Sequence, residues 1–174
     1  MSFTETKIDG KVIYNGKILT LTLDTVRLSD GSEAKREIVR HSGGAAVLFV
    51  EDNKVLLVRQ FRYAYGREMY EIPAGMVNDG EDEKSAAARE LEEETGYKAE
   101  LVHLVDIYPS PGYTDEIIHI YAATNAILSS QNLDEGELLN AEFVPLEKVI
   151  SMIESGEICD AKTVTAIYKF LTLK

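Results

Sequence analysis

The chain has 174 residues, enough for one domain with a buried core. Its 45% hydrophobic and 28% charged residues are typical of a globular protein. With 18 Lys plus Arg against 30 Asp plus Glu, the net charge is −12, which disfavours nucleic acid as a partner because an acidic surface repels phosphate backbones. An acidic protein can still hydrolyse phosphate compounds when a bound cation mediates the contact, so the composition points to a metal.

The termini and the cysteine content limit the cellular context. No segment approaches the ~20 apolar residues that cross a bilayer, and the first residues lack the apolar stretch of a signal peptide. We therefore expect no membrane association and a cytoplasmic location. The single cysteine, Cys159, excludes an internal disulfide, and we expect it to be a small buried residue, as free cysteines usually are.

The N-terminal part is predicted to be a small β-structure. Residues 17–27 alternate between leucine and polar or branched residues, a period of two that predicts a half-buried strand. A turn follows at 29–32, and 34–41 resumes extended structure. We predict a β extension over residues 1–41 and a main domain over 42–174.

The central part is predicted to contain a hairpin, a strand and a helix. The apolar runs 45–50 and 55–58 form the hairpin, and a further strand covers 69–73. Residues 82–95 are mostly strong helix formers, and Gly96 follows as a typical helix terminator.

The remaining elements are predicted to be strands at 98–108, 116–124 and 141–145 and helices at 146–155 and 160–171. Strands, one helix, strands and two helices in this order predict an α/β (α+β) fold with a mixed sheet covered by helices.

Three glutamates lie on one face of the predicted helix. With about 100° per residue, Glu90, Glu93 and Glu94 cluster within about 100° of arc. The neighbouring apolar stripe consists of Ala87, Leu91 and Thr95. Like charges one turn apart cost only a few tenths of a kcal/mol, so a solvated acidic face is one reading. The other is a site for a hard divalent cation such as Mg²⁺, and the helix alone leaves both open.

The residues around the helix decide between these readings. They run Gly75-x5-Glu81-x7-Arg89-Glu90-Leu91-x-Glu93-Glu94-x-Gly96-Tyr97. This run resembles the box of the Nudix hydrolase superfamily at every specified position, although the aromatic Tyr97 stands where an aliphatic residue is commoner. The resemblance implies the Nudix fold, a mixed sheet sandwiched between helices, here with a small N-terminal sheet added.

The resemblance also implies roles for the residues of the box. Glu90, Glu93 and Glu94 and the backbone carbonyl of Ala74 match metal ligands, and Glu93 and Glu94 match catalytic positions. The residues that match structural supports of the box are Gly75, Glu81, Arg89 and Gly96. Two or three Mg²⁺ ions are implied, with Mn²⁺ as a possible substitute.

A second segment bears on the substrate. Ser110-Pro111-Gly112, followed by Asp115-Glu116, resembles the segment that marks ADP-ribose pyrophosphatases within the superfamily; the alternative is an ordinary Pro-Gly turn between strands. The resemblance implies substrate binding by Arg36, Arg62, Gly112 and Glu116. Surface or strand-pairing roles remain an alternative for the arginines.

The general base is implied to come from an acidic loop over residues 133–137. Glu135 is then the base and Glu137 a metal ligand, with Gly136 allowing the loop to close. A plain solvated acidic loop is the alternative.

The function that the resemblance implies is metal-dependent hydrolysis of ADP-ribose to AMP and ribose 5-phosphate by a homodimer. Two alternatives stay open: a Nudix enzyme for another nucleoside diphosphate sugar or a dinucleotide, and a non-catalytic module that senses ADP-ribose.

Overall fold

The computed structural model describes residues 3–133, 136 and 138–173. Within these residues the chain forms two compact units. The first contains the chain up to Gly43 together with 108–117, and the second contains 44–107 and the residues from 118 onwards. No helix of the described residues has the length and apolarity needed to cross a membrane.

The first unit is a small antiparallel sheet with the strand order β1-β2-β3. Its strands are β1 (Glu5–Asn15), β2 (Leu19–Leu28) and β3 (Glu33–His41). The segment 108–117 adds to β3, because the Val39 N–H donates to the Tyr113 carbonyl at 2.7 Å. The N-terminal sheet predicted from the sequence is thus present; the domain boundary at residue 41 stays a prediction.

The second unit is built on a mixed sheet of seven strands with the order β10-β5-β4-β9-β8, to which β6 adds on β5 and β7 on β4. The strands are β4 (Gly44–Glu51), β5 (Lys54–Arg62), β6 (Arg67–Glu71), β7 (Ala74–Met76), β8 (Tyr97–Ile107), β9 (Ile118–Leu128) and β10 (Leu139–Pro145), and the helices are α1 (Glu83–Thr95), α2 (Leu146–Glu154) and α3 (Ala161–Leu171). Strands β4 and β9 pair in parallel, whereas the other described pairs of this sheet are antiparallel.

Helices cover both faces of this sheet, as the alternation along β4 shows. Ala46 and Leu48 pack in one buried cluster with α2 and α3. Ala45 and Val47 point the other way and pack in a second cluster with α1. Since successive side chains of a strand face opposite sides, one buried strand supplies both cores. The predicted mixed sheet between helices is confirmed.

Two predictions about local structure are wrong. The strand expected over 69–73 ends at Glu71 and a short new strand begins at Ala74, because Pro73 has no N–H for the ladder and the Ile72 N–H donates to the side chain of Thr163 instead. Cys159, expected to be buried, is exposed, and Arg67 Nη2 lies 2.9 Å from its sulfur.

Candidate active site

Helix α1 presents the glutamates of the motif, and its ends are fixed by the side chain of Asp82 and by the backbone of Gly96. Asp82 caps its N-terminus by accepting a hydrogen bond from the Ser85 N–H at 3.1 Å. Gly96 ends it in the left-handed conformation, with φ of 74°, which a residue without Cβ adopts at little cost. The predicted apolar stripe packs on the sheet, since Ala87, Leu91 and Thr95 are buried.

Glu94 and Glu90 bring the helix directly against the segment 74–75. Glu94 is 2% exposed, and its Oε2 accepts a hydrogen bond from the Ala74 N–H at 2.9 Å. A Cβ added to Gly75 would come within 2.0 Å of Oε1 of Glu90. Glycine is therefore required at position 75 for the carboxylate of Glu90 to occupy its place.

Arg89 ties the loop of the motif to the helix. Its Nε and Nη2 donate to the two carboxylate oxygens of Glu81 at 2.9 and 3.0 Å, and Nη2 also donates to the Met76 carbonyl at 3.0 Å. Its Nη1 donates to Glu90 at 2.6 Å and to Glu93 at 2.9 Å. The hydrogen bond to Glu81 is the largest cause that raises the pKa of Arg89 above its ordinary value.

The charges of this cluster favour a cation. Three glutamates of the motif, Glu81, Glu90 and Glu93, pair with Arg89, and Glu94 adds a fourth carboxylate beside Ala74, so negative charge remains in excess. Carboxylate and carbonyl oxygens are the ligands that Mg²⁺ prefers, and the donors present fit such an ion.

The carboxylates do not converge on one point. Among the residues described, no three His, Cys, Asp or Glu side chains form a group close enough to hold a metal. Arg89 holds Glu90 and Glu93, while Glu94 is turned towards the Ala74 N–H. An ion here would draw on a small number of carboxylates, with a backbone oxygen and water completing its coordination, as is usual for Mg²⁺.

The acidic loop predicted to carry the base is described in part. Glu135 and Glu137 lie outside the described residues. The chain just before them is bound to the C-terminal end of α1: the Asn132 N–H donates to the Glu93 carbonyl at 3.0 Å, and the Gln131 side chain donates to the Glu94 carbonyl at 2.5 Å. The structure thereby fixes the start of this loop beside the glutamates, a contact that the sequence did not reveal.

Arg62, a predicted substrate ligand in the second unit, makes a bidentate ion pair. Its Nε and Nη2 donate to the carboxylate of Glu71 at 2.6 and 2.7 Å. The side chain of Arg62 is 40% exposed, whereas that of Glu71 is 3% exposed. Glu71 thus fixes the direction in which Arg62 points.

In the first unit, Arg36 and Gly112 line one open pocket of about 440 Å³. Its further lining residues are Glu5, Lys7, Asp24, Val26, Ile38, Arg40 and Pro111. Arg36 donates to Glu5 through Nε at 2.9 Å and Nη2 at 2.6 Å. Arg36 and Gly112 were predicted from the sequence, whereas Glu5, Lys7, Asp24 and Arg40 were not, because the pairing of β1, β2 and β3 brings these side chains together only in the folded sheet.

Asp24 is the buried charge of this pocket, at 3% exposure. Lys7 lies 2.8 Å and Arg40 3.5 Å from its carboxylate oxygens. The close contact with the Lys7 ammonium is the largest cause that lowers the pKa of Asp24. The lining thus carries three basic and two acidic side chains, a mixture suited to a ligand that has both negative charge and hydrogen-bond donors.

Glu116, the last predicted substrate residue, is partly buried in the same unit. Its Oε1 lies 3.7 Å from Nδ1 of His41. The preceding Asp115 accepts hydrogen bonds from Arg40 and from the His41 N–H, both at 3.0 Å. These contacts hold the segment after Gly112 against strand β3.

Comparison with known proteins identifies the family to which these residues belong. Residues 39–166 match the NUDIX domain. The chain belongs to the Nudix family. The family assignment made from the box is thereby confirmed. Residues 5–39 match the nucleoside diphosphate sugar hydrolase N-terminal domain, so the small sheet has a counterpart in that domain.

Individual relatives cover almost the whole chain. An ADP-ribose pyrophosphatase of Bacillus subtilis (strain 168) is 42% identical over 99% of this chain and 95% of its own length. The methanol dehydrogenase activator of Bacillus methanolicus is 40% identical over 95% of this chain and 91% of its own length. A crystal structure of an ADP compounds hydrolase superposes with a TM-score of 0.86 at 23% identity, covering 99% of this chain and 96% of that one. This last likeness shows the shared fold.

Proposed function

We propose that this Nudix protein hydrolyses the diphosphate bond of ADP-ribose, giving AMP and ribose 5-phosphate. The observation that carries the proposal is the complete glutamate cluster of the box, with Glu90 seated over Gly75 and Glu94 bonded to Ala74. The similarity to an ADP-ribose pyrophosphatase over 99% of the chain supports this substrate. A sensor module would not need this set of carboxylates.

The cluster would hold Mg²⁺ through Glu90, Glu94 and the Ala74 carbonyl, with Glu93 and Glu137 as further ligands, and we propose two or three ions. Bound there, Mg²⁺ supplies a Lewis acid that withdraws charge from the diphosphate. Mn²⁺ prefers similar oxygen ligands and would substitute for Mg²⁺.

The protein's own groups would perform the remaining steps. Glu135 would accept a proton from the attacking water, a contribution of about 10²–10⁴-fold to the rate. Arg62 and Arg36 would donate hydrogen bonds to phosphate, for which the guanidinium fork is well suited. Gly112 and Glu116 would contact the rest of the substrate, and Glu81 and Arg89 would keep the loop of the box in place.

We also propose that the enzyme is a cytoplasmic homodimer. All residues of β1 are exposed, and the apolar side chains of Val12, Ile13 and Tyr14 are 51–60% exposed. Apolar residues grouped on one strand are typical of a surface that another chain covers. The exposed free thiol of Cys159 suits a reducing compartment such as the cytoplasm.

The central test is hydrolysis of ADP-ribose with Mg²⁺, followed by chromatography of AMP. Excess EDTA should abolish the reaction and Mg²⁺ should restore it. Glu94→Gln and Glu135→Gln should each reduce turnover by at least about 100-fold, the lower range for a lost acid–base group. Normal turnover in both variants would contradict the mechanism.

Another nucleoside diphosphate sugar is the second candidate, because the N-terminal region matches the domain of nucleoside diphosphate sugar hydrolases. A panel of ADP-ribose, other nucleoside diphosphate sugars and dinucleotides, compared by kcat/KM, decides between the two. Absence of hydrolysis across the panel, with retained binding of ADP-ribose, would favour a sensor.

A further inference from the structure

The segment 71–74, which leads into the box, is held from two sides. On the side of the candidate metal site, the Ala74 N–H donates to Glu94 at 2.9 Å, and the Pro73 carbonyl accepts from the Val47 N–H at 2.9 Å. On the opposite side, two contacts come from the first turn of helix α3. This turn has no part in the function proposed above.

The first contact from α3 is made by Thr163, which is fully buried. Its Oγ1 accepts a hydrogen bond from the Ile72 N–H at 2.8 Å and donates to Asp160, the N-cap of α3, at 2.6 Å. The hydroxyl therefore occupies the place that a neighbouring strand would fill and links the backbone of this segment to the helix.

The second contact is the buried ion pair between Lys162 and Glu71. Lys162 is 7% and Glu71 2% exposed, and the ammonium donates to Oε2 of that carboxylate. Asp160 lies 3.0 Å from the same ammonium, and Arg62 occupies the other side of the Glu71 carboxylate. All four charges are thereby matched within one connected group.

Stability alone is a weak reason to keep such a group. Removing two charges from water is costly, and apolar replacements of buried ion pairs are often neutral or stabilising. What the ion pair does provide is a fixed direction: it ties the end of β6, three residues before Ala74, to the rigid start of a helix.

We propose that Lys162 is a positioning residue for the metal site: by holding Glu71 from helix α3, it keeps the segment 71–74 in the position from which Ala74 serves the ion. This inference rests on the proposed function, in which the Ala74 carbonyl is a ligand. Lys162 acts through the backbone and touches neither substrate nor metal. It resembles in effect the outer groups that orient metal ligands, whose loss typically costs 10–100-fold in affinity.

The variant Lys162→Met tests the proposal, because it keeps an unbranched side chain and removes the charge. Lys162→Arg restores a cation, and Lys169→Met alters an exposed lysine of the same helix as the matched control. Binding of Mn²⁺ without substrate is measured by the electron paramagnetic resonance signal of the free ion. The Mg²⁺ concentration for half-maximal hydrolysis, kcat and KM at saturating Mg²⁺, and the Tm are measured alongside.

We expect Lys162→Met to weaken Mn²⁺ binding and raise the half-maximal Mg²⁺ concentration by about tenfold, the lower range for such outer groups. Saturating Mg²⁺ should recover most of kcat, and Lys162→Arg should restore most of the affinity. Lys169→Met should match the wild type in every measurement.

Three outcomes would overturn the inference. A lowered Tm with unchanged Mn²⁺ affinity would reduce Lys162 to a structural role. A raised KM with unchanged metal affinity would mean that the effect passes through Arg62 to the substrate. If Lys162→Met does not fold, the double variant Glu71→Gln/Lys162→Met, which removes both charges of the pair, replaces it. Wild-type metal affinity in this double variant would also overturn the inference.

The wild type separates this inference from the function on which it rests. A wild type that binds no Mn²⁺ and leaves ADP-ribose intact would refute both together. If the wild type binds Mn²⁺ and hydrolyses ADP-ribose, and Lys162→Met has the same metal affinity, only the role of Lys162 is refuted.

Discussion

The carboxylate of Glu90 packs directly against the backbone of Gly75 at the centre of the candidate site. A methyl group on residue 75 would meet the Glu90 carboxylate at 2.0–2.5 Å. The obstacle is the end of a flexible side chain, so the carboxylate would move and the backbone would stay. The glycine is thus needed for the position of one metal ligand more than for the fold.

We therefore predict that Gly75→Ala keeps the fold but loses most Mg²⁺-dependent turnover. Displacing a catalytic group by about 1 Å can cost about 10²-fold, which is the reduction we expect in kcat/KM. Steady-state kinetics and circular dichroism measure the two properties.

Gly80→Ala in the same loop is the control. Gly80 has φ of 79°, and a Cβ there would meet no atom within 4 Å. That variant should lose about 1 kcal/mol of stability to backbone strain and keep its turnover. Equal turnover in both variants would show that the position of the Glu90 carboxylate beside Gly75 does not matter for catalysis.

Functional residues could be predicted from the sequence where they lie close together in the chain. The glutamates and glycines of the box lie within 22 residues of one another in the chain, and one helix and one loop bring them together. The partners of Arg62 and Arg36, namely Glu71 and Glu5, lie on other strands. Their pairing depends on strand register, which a single sequence does not specify at that detail.

The ends of helix α1 determine how its glutamates are presented. Asp82 accepts hydrogen bonds from the N–H and the hydroxyl of Ser85. We predict that Asp82→Ala lowers the unfolding free energy by about 1 kcal/mol, the usual loss for an N-cap. Urea unfolding followed by circular dichroism measures it. The exposed Asp79 supplies the control Asp79→Ala, which should leave stability unchanged.

The ion pair of Glu71 joins β5, β6 and α3, and it predicts a dependence of stability on pH. Burial raises the pKa of Glu71, but the hydrogen bonds from Arg62 and Lys162 outweigh burial and leave this pKa below its ordinary value. Because the pKa of Glu71 is lowered in the folded state, the ionised carboxylate stabilises the fold. This stabilisation is fully present above the unfolded pKa of about 4.3 and is lost as the pH falls through the folded pKa.

We expect Glu71→Gln to lower the free energy of unfolding by about 3 kcal/mol at pH 7. This is the low end for breaking a buried ion pair, because Lys162 retains its ion pair with Asp160. The difference from wild type should shrink as the pH falls below about 4. Urea unfolding at a series of pH values measures both. The exposed Glu157 gives the control Glu157→Gln, and a difference independent of pH would contradict the assigned charge of Glu71.

Elements with a strong pattern were predicted well, and weakly patterned ones were not. The three helices lie within one or two residues of their predicted ends, since runs of helix-forming and periodic apolar residues mark all three, and Asp82 and Asp160 cap α1 and α3. Strand β1 was not predicted because every residue in it is exposed, so it carries no alternation between buried and exposed positions. The break after Glu71 depends on a hydroxyl from α3, 91 residues further along the chain.

At the scale of the whole molecule, the exposed first strand predicts how the protein assembles. If β1 is covered by a second copy, Val12→Asp should convert the dimer to a monomer, because a charge cannot be buried without a partner. Val102 on β8 is 60% exposed, as is Val12, so Val102→Asp is the matched control and should leave the dimer intact. Sedimentation equilibrium measures the mass, and a Val12→Asp dimer would place the interface elsewhere.

The exposed thiol beside Arg67 has a practical consequence. Because Cys159 is the one cysteine in the sequence, a nitroxide or fluorophore attached through sulfur would report from a single known position, with no engineered residue. In an assembly with twofold symmetry, two such probes are separated by one distance, so a single dipolar spectrum would give the spacing of the subunits in solution.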